Sequence, residues 1–458
     1  MRVRKLNDAA VRTPAGYVLY WSQMNRRVES NHALEYAATL ANQLDLPLLV
    51  YEGLTCAYPN ANDRLHTFIL EGVPETEKRM GEREIGYVFY LRRRRSDPDD
   101  VLYQLSHDAA AVVTDDYPTF IAAWHNARVP VKIGVAYFVV DSSCIVPMNC
   151  FEKREYAAYT IRPKIQKLLP EYLRPVRRTR LKRRWQCPPH RFHTTVTAGN
   201  ISELAAGSEI DHGVAPSMRV GGGRAAAEKR LGQFLRGQLR RYAKEKNEPV
   251  ARATSGLSPY LHFGHISSLE IALAAGRYGA RHKIITTEFL EELIVRRELA
   301  FNFARFSEGP ASLAALPEWA QVTMKKHARD RRPHVYTRDQ FERALTHDPL
   351  WNAAQKQMLL EGHIHGYYRM YWGKKIIEWS PTYQEAFDSM VRIHDRYALD
   401  GRDPNTYANI LWCFGLHDRP WPERPVFGTI RYMSYDGMRR KTDVEGYIRE
   451  IAQLEKTA

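Results

Sequence analysis

The hydrophobic rhythm of the chain changes once, and that change limits the folds open to it. Over the first ~150 residues short apolar runs alternate with helical patterns. GYVLYW (Gly16 to Trp21), LPLLVYE, IGYVFYL, AAAVVTD and VPVKIGVAYFVV read as buried strands. Between them lie SNHALEYAATLANQL, with Ser30 as the expected helix N-cap, and a helical stretch from Asn62 to about Met80. Strands separated by helices predict a mostly parallel, Rossmann-like sheet covered on both faces. From about Ala225 the spacing is helical to the end, as in LEELIVRRELAFNFARF, GYYRMYWGKKIIEW and QEAFDSMVRIHDRYAL. At 458 residues the chain is too long for one average domain. The expectation is an α/β N-terminal domain over residues 1–160, a linker over 161–224 and an all-helical C-terminal domain over 225–458.

The linker is assigned on charge. Between Arg162 and Arg184 ten Lys or Arg stand against one acid, Glu171, and Pro163, Pro170, Pro175 and Pro188–Pro189 interrupt the run. A solvated linker and a direct DNA contact both fit that composition. Arg92 to Arg95, followed by SDPDD, read as a solvated strand end with local charge pairing. VGGGR (Val220 to Arg224) lacks the strand–Gly–helix context of a phosphate loop and reads as a hinge. Over the whole chain 67 Lys and Arg against 52 Asp and Glu give a formal charge of +15, which favours a polyanionic partner such as DNA, RNA or an acidic membrane surface. No apolar run approaches ~20 residues and MRVRKLNDAA lacks an apolar core, so neither membrane spanning nor export is expected, and the location expected is cytoplasmic. Five scattered Cys without a CxxC predict free thiols and no metal site. Without coiled-coil heptads a monomer is expected.

Three segments of the helical half can carry chemistry. In TSGLSPYLHFG (Thr254 to Gly264) hydroxyls and glycine precede Pro259 at a helix start, where backbone N–H groups can hold a phosphate; a turn that only caps a helix has the same letters. Trp372 and Trp379 lie seven apart in a helical pattern, hence on one face and ~10.5 Å apart along the axis. With Trp351 they could pass single electrons, although core tryptophans at this spacing read alike. In YALDGRDPNTYANILW, Asp400, Arg402 and Asp403 can cap helices and pair with one another, or hold the polar edge of a ligand.

Together these segments and RRELAFNF resemble one family, the class II cyclobutane-pyrimidine-dimer photolyases. The resemblance rests on SPYLHFG, HDPLWNA, HGYYRMYWGKKIIEW, YALDGRDPN and IRYMSYDGMRRKTDV, and in the N-terminal half on NDRLHTFILEG and MNRRVESNHAL, so it covers nearly the whole chain. It implies an FAD-binding helical domain that repairs cyclobutane pyrimidine dimers in DNA by light-driven electron donation from reduced FAD, with the dimer flipped out of the duplex. On the matching positions Ser255, Gly256, Leu257 and Ser258 would lie on the flavin pyrophosphate, with Thr254, Tyr242 and Gly401 in the same cofactor site. Arg369 and Asp400 match a charged pair beside the isoalloxazine. Glu292 matches an acid on the dimer's carbonyl edge, a role that asks for a buried apolar setting and a raised pKa; the EE pair Glu291–Glu292 on a helix surface would read the same. Arg296, Met370 and Trp412 match other dimer-lining positions. Trp372, Trp351 and Trp379, in that order from flavin to surface, match an electron chain. The family also implies a deazaflavin antenna in the N-terminal domain, whose residues the sequence does not assign.

The chain departs from the family in three places. His394 stands beside the flavin N5 where Asn is usual, and brings a side chain that can change charge near neutral pH. Phe301 replaces a usual Asp, and WCFGLHD is one residue short. The last two are expected at the substrate end of the site. All three departures point to the alternative of a non-repairing, light-sensing, cryptochrome-like flavoprotein.

Overall fold

The computed structural model describes residues 1–187 and 190–457; Pro188 and Pro189, expected to interrupt the linker, lie outside the described residues. Six strands, β1 (Val3–Lys5), β2 (Tyr17–Ser22), β3 (Leu48–Thr55), β4 (Gly86–Arg92), β5 (Ala109–Asp115) and β6 (Ala136–Val140), form one sheet in the order β1-β6-β5-β2-β3-β4. Every pairing is parallel except β1 with β6. The antiparallel edge strand β1 was not expected. The five expected strands are all present, and β5, which pairs on both sides, is buried at every residue, the setting its unbroken apolar run predicts.

Side chains alternate between the two faces of the sheet. Val18, Tyr20, Val50, Ala110 and Val113 meet Ala33, Leu34, Ala37, Ala38 and Ala41 of helix α1 (His32–Leu44). The small side chains let this helix approach closely, and Leu34→Ala would cost ~2–5 kcal/mol. Its N-cap is Asn31, whose side chain accepts from the Ala33 and Leu34 amides, and not Ser30, which sits outside the helix at φ 49°. The stretch after Asn62 forms two helices, α2 (Asp63–Leu70) and α3 (Val73–Gly81), broken at Glu71–Gly72. On the other face Leu19, Trp21, Leu49 and Val112 pack against Val101, Leu102 and Leu105 of α4 (Val101–His107). Strand order reverses between β2 and β5, the place where open parallel sheets bind ligands. There Asp115 accepts from the Gln23, Met24 and Asn25 amides at 2.8–3.1 Å and closes the loop after β2.

The basic segment is not linker throughout. After α5 (Phe120–Arg128), helix α6 (Ala158–Tyr172) takes up Arg162 to Glu171 with Pro163 and Pro170 inside it. Beyond it the chain runs along the outer edge of the sheet, where Trp185 N–H reaches the Glu84 carbonyl (2.9 Å) and Thr194 N–H the Phe89 carbonyl (2.7 Å). That route covers an exposed strand edge. Arg93 and Arg94 N–H groups donate to Asp97, the local pairing expected of that run.

The C-terminal half is helical, as expected, and its largest apolar cluster surrounds Trp351, Trp372 and Trp379. A second cluster joins Leu65, Phe68 and Ile69 of α2 to Tyr260, Phe263, Ile266 and Leu269, so the two halves share a core. Gly222 and Gly223 belong to this junction and are not a hinge. A Cβ on Gly222 would lie 1.9 Å from the Phe68 carbonyl oxygen, and Gly223 holds φ 89°. All five cysteines are free thiols. Among the described residues no helix is long and apolar enough to cross a membrane, and no group of three His, Cys, Asp or Glu could hold a metal.

Candidate active site

A cavity of about 470 Å³ opens in the helical half, within the size range of small-molecule sites. It collects most of the expected residues: Tyr242, the whole of Thr254 to Ser258, Glu292, Arg369, Met370, Trp372, His394, Asp400 and Trp412 all line it. The loop 254–258 is set by Arg230, which donates to the Ser255 carbonyl (2.6 Å) and the Thr254 carbonyl (2.8 Å). Position 256, at φ 63°, requires glycine, since a Cβ would lie 2.9 Å from Arg230 Nε.

The inner end is closed and charged. Arg369 Nη2 donates to Asp400 Oδ2 at 3.1 Å and Oδ1 at 3.2 Å. Burial would raise the Asp400 carboxyl, but the Arg369 guanidinium overrides it and holds the group well below the usual carboxylate range. Asp403, the N-cap of helix Pro404–Cys413, receives hydrogen bonds from Tyr117 (2.6 Å) and His262 (3.3 Å). Burial pulls its pKa up, yet these bonds bring it down to about 2. His394 lies at this end with Nε2 3.9 Å from Asp400 Oδ1. Burial, helped by Arg369, lowers its pKa to about 3. It is therefore neutral around pH 7 and does not change charge there, contrary to the expectation from its type.

Three buried atoms in the cavity wall, His394 Nδ1, His365 Nε2 and Arg369 Nε, have no hydrogen-bond partner among the described residues. Orphaned buried polar atoms are rare and ask for a ligand. Guanidinium, carboxylate and imidazole at one end, with hydroxyls and a glycine loop along one wall, suit a heteroaromatic ring with polar edges and a phosphate-bearing tail. The residues present fit FAD.

The outer end is different. Glu291 to Arg296 form a π-helical turn, a feature frequent at functional sites and invisible to regular helical spacing. Glu292 is not buried in an apolar pocket: its side chain is 45% exposed and 3.1 Å from Lys246 Nζ, which also holds Glu288 at 3.0 Å. Arg296 does not line the cavity; its guanidinium lies 5.8 Å over the Trp412 ring at the rim. Gly401 does not line it either. A Cβ there would come within 2.7 Å of the His394 carbonyl, so its role is close packing against helix Tyr383–Tyr397. Phe301 also stands elsewhere, fully buried between Tyr117 (5.4 Å, edge-on) and the Arg297 guanidinium (4.4 Å), in a cluster joining the two halves. It is a packing residue and not part of the substrate end.

Behind the cavity the indoles stand in series. Trp372, on its wall, stacks on Trp351 at 6.4 Å and 7°, and Trp351 meets Trp379 edge-on at 6.2 Å. Trp351 Nε1 donates to the Trp372 carbonyl (3.0 Å) and Trp372 Nε1 to Gln355 (2.9 Å), fixing both rings. The order matches expectation, but Trp379 is only 2% exposed and does not reach the surface.

His363, His365, Asn405, Asn409, Lys246 and Arg297 also line the cavity and were missed. The i, i+4 spacing of Asn405 and Asn409 after the Asp403 cap was a readable signal for two of them. A second cavity of about 750 Å³ lies at the carboxyl ends of β2, β3 and β4, walled by Trp21, Tyr51, Tyr90, Arg92, Trp124 and His125.

Comparison with known proteins gives the family. Residues 18–182 match the model of the family described as DNA photolyase. A deoxyribodipyrimidine photo-lyase of Methanothermobacter thermautotrophicus is 40% identical over 99% of this chain and 98% of its own length. Among solved structures, a bacterial class III photolyase from Agrobacterium tumefaciens shares the fold with a TM-score of 0.71, at 16% identity, over 98% of this chain and 88% of that one. An archaeal photolyase from Sulfolobus tokodaii, solved with two FAD molecules, gives 0.65 at 15% identity over 94% and 90%. With a full-length relative at that identity, the chain belongs to the DNA photolyase family.

Proposed function

We propose that the protein is a light-driven deoxyribodipyrimidine photo-lyase that repairs cyclobutane pyrimidine dimers in DNA. The observation that carries this reading is one cavity that joins a closed, charged inner end to an open end with Glu292, Met370 and Trp412, with the indole series against its wall. FAD, when bound, supplies the light-absorbing group that donates an electron to the dimer. Thr254 to Ser258 would take the cofactor's phosphates, and Tyr242 would close that side. Arg369 and Asp400 would orient the ring through a pair that neither partner can leave cheaply. His394, neutral and with Nδ1 free, would accept a hydrogen bond from the ring edge.

Trp412 offers an apolar wall for a flipped base, and Arg296 over its ring keeps a positive charge at the rim. Glu292 would leave Lys246 to accept from an imide N–H on the dimer's polar edge, and the freed Lys246 ammonium would offset negative charge on the carbonyl oxygens beside it. The formal charge of +15 gives the phosphate backbone a salt-sensitive, sequence-independent attraction. Trp372, Trp351 and Trp379 would pass electrons towards the cavity under light, a step separate from repair. The second cavity, ringed by aromatic side chains at the sheet's carboxyl edge, would hold an antenna chromophore of deazaflavin or flavin type.

The test is blue-light repair of a thymine-dimer oligonucleotide by the fully reduced, FAD-loaded protein, with a dark control. Light-dependent return of intact thymines is expected. No repair with FAD bound and reducible would favour a light-sensing flavoprotein instead, with His394 as the departure still standing in the cavity.

A further inference from the structure

We infer that Tyr117 and Thr119, two positioning residues from the α/β half, couple the two cavities, so that an occupant of the second cavity tightens the hold of the first on FAD. The inference rests on the reading of the second cavity as a chromophore site. Four residues, Asp116 to Thr119, join β5 to α5, and Phe120, Ile121, Trp124 and His125 of α5 wall the second cavity. On the other side of this joint the Tyr117 hydroxyl donates to Asp403 Oδ2 at 2.6 Å. Burial, with the Asp403 charge beside it, pushes that hydroxyl well above its ordinary pKa and keeps it a donor. His262 Nδ1 lies 3.3 Å from the same oxygen, and Oδ1 accepts from the Asn405 backbone N–H at 2.9 Å and its side-chain amide at 2.8 Å. The acceptor sites of the carboxylate are thus taken up within the protein. Asp403 serves to aim Asn405, which lines the first cavity.

The start of α5 is strained in a way that ties it to this network. Thr119 is the N-cap, where a threonine oxygen ordinarily accepts from the helix amides. It makes no such bond, and its hydroxyl donates instead to the carbonyl of Arg402, next to Asp403, at 3.2 Å. Phe120 holds φ 54° and Arg402 φ 63°, a region that bulky side chains rarely adopt. Such strain persists only where the surroundings over-determine it. The first turn of α5 therefore has two arrangements open to it. In the one observed, Thr119 is spent on Arg402 and Phe120 stands in the wall of the second cavity. In the other, Thr119 turns back to cap the helix and Phe120 relaxes. Asn126 pins the body of α5 to β5 through the Asp115 carbonyl at 2.8 Å, which confines the change to the first turn. An aromatic occupant packed on Phe120 favours the observed arrangement, and that arrangement holds Tyr117 on Asp403. Each site then biases the same element, and the coupling is reciprocal.

The test is exchange of bound FAD for isotopically labelled FAD in the FAD-loaded protein, with and without 5-deazariboflavin, for the native chain, Tyr117→Phe and Thr119→Val. Binding of the deazariboflavin is followed by its fluorescence anisotropy. In the native chain it should slow FAD exchange by at least about fivefold, the coupling appearing mainly in the off-rate. In each variant, with FAD and deazariboflavin still bound, the slowing should fall below about twofold. A merely structural role of either side chain would change exchange equally with and without deazariboflavin and leave that ratio as in the native chain. Unslowed exchange in the native chain despite bound deazariboflavin, or a native ratio in both variants, overturns the inference while the second cavity keeps its reading. Failure of the native protein to bind deazariboflavin overturns that reading, and the inference with it.

Discussion

Arg369 with Asp400 and Lys246 with Glu292 both pair at 3.1 Å in the same cavity, yet their surroundings are opposite. The first pair is enclosed, with Asp400 held ionised by its partner and Arg369 Nε still unsatisfied. In the second, Glu292 is almost half open to water and shares Lys246 with Glu288. A buried pair is costly to break and keeps its geometry, whereas an exposed pair contributes little to stability and can be exchanged. The inner end is thus built to hold a resident group in one pose, and the outer end to trade partners when a substrate arrives.

The largest effect should come from the enclosed pair. Asp400→Ala leaves the mostly enclosed Arg369 guanidinium with only the Ile364 carbonyl and no counter-charge, so unfolding in denaturant should show a loss of ~3 kcal/mol, together with loss of bound FAD. A loss below ~1 kcal/mol would place this pair with the exposed one and erase the contrast. Next, Trp351→Phe interrupts the indole series at its middle member, and light-driven flavin reduction should slow by more than about tenfold while repair from chemically reduced flavin persists. Parallel losses in both reactions would mean that Trp351 only supports the cavity.

Acid sensitivity sharpens the comparison further. His394 has a folded pKa near 3, so below its ordinary value of roughly 6.5 the unfolded chain binds a proton that the folded chain does not. Its contribution therefore falls as pH drops from about 6.5 towards 3. Asp403, depressed to about 2, adds a loss at lower pH, between roughly 3.9 and 2. His394→Asn should move acid unfolding, followed by circular dichroism, to lower pH. An unmoved midpoint would mean that the imidazole is not enclosed. The smallest effect belongs to the open end: Glu292→Gln should change stability by less than ~1 kcal/mol.

Legibility in the sequence followed how local each determinant is. Strand β5 could be read because AAAVVTD is buried on both faces, and the placement of Trp372 and Trp379 on one face of one helix is fixed by its pitch. Strand β1, three residues long on an edge, carries too little pattern to announce itself. Arg162 to Glu171 read as linker because its prolines and charges mask a helix whose Ile161 and Ile165 are buried. The place of Trp351 in the series came from resemblance, since it depends on how helix Pro349–Glu361 packs on helix Gly366–Trp379. Phe301 was expected at the substrate end from the resemblance alone, as the replacement of a usual Asp. The π-helical turn at Glu291–Arg296 alters the helical phase before it, and Tyr117 from the other half claims its ring. The pairing of Lys246 with Glu292 joins residues from separate helices, which spacing could not foretell.

The most direct test of two ends with two tasks is flavin-normalised repair of a thymine-dimer oligonucleotide under blue light by Glu292→Gln beside the native protein. Full FAD occupancy with repair per flavin reduced by about tenfold or more is the predicted result, equal to a barrier higher by about 1.4 kcal/mol. Native repair per flavin, or loss of FAD from this variant, would contradict the division of the cavity into a resident end and an exchanging end.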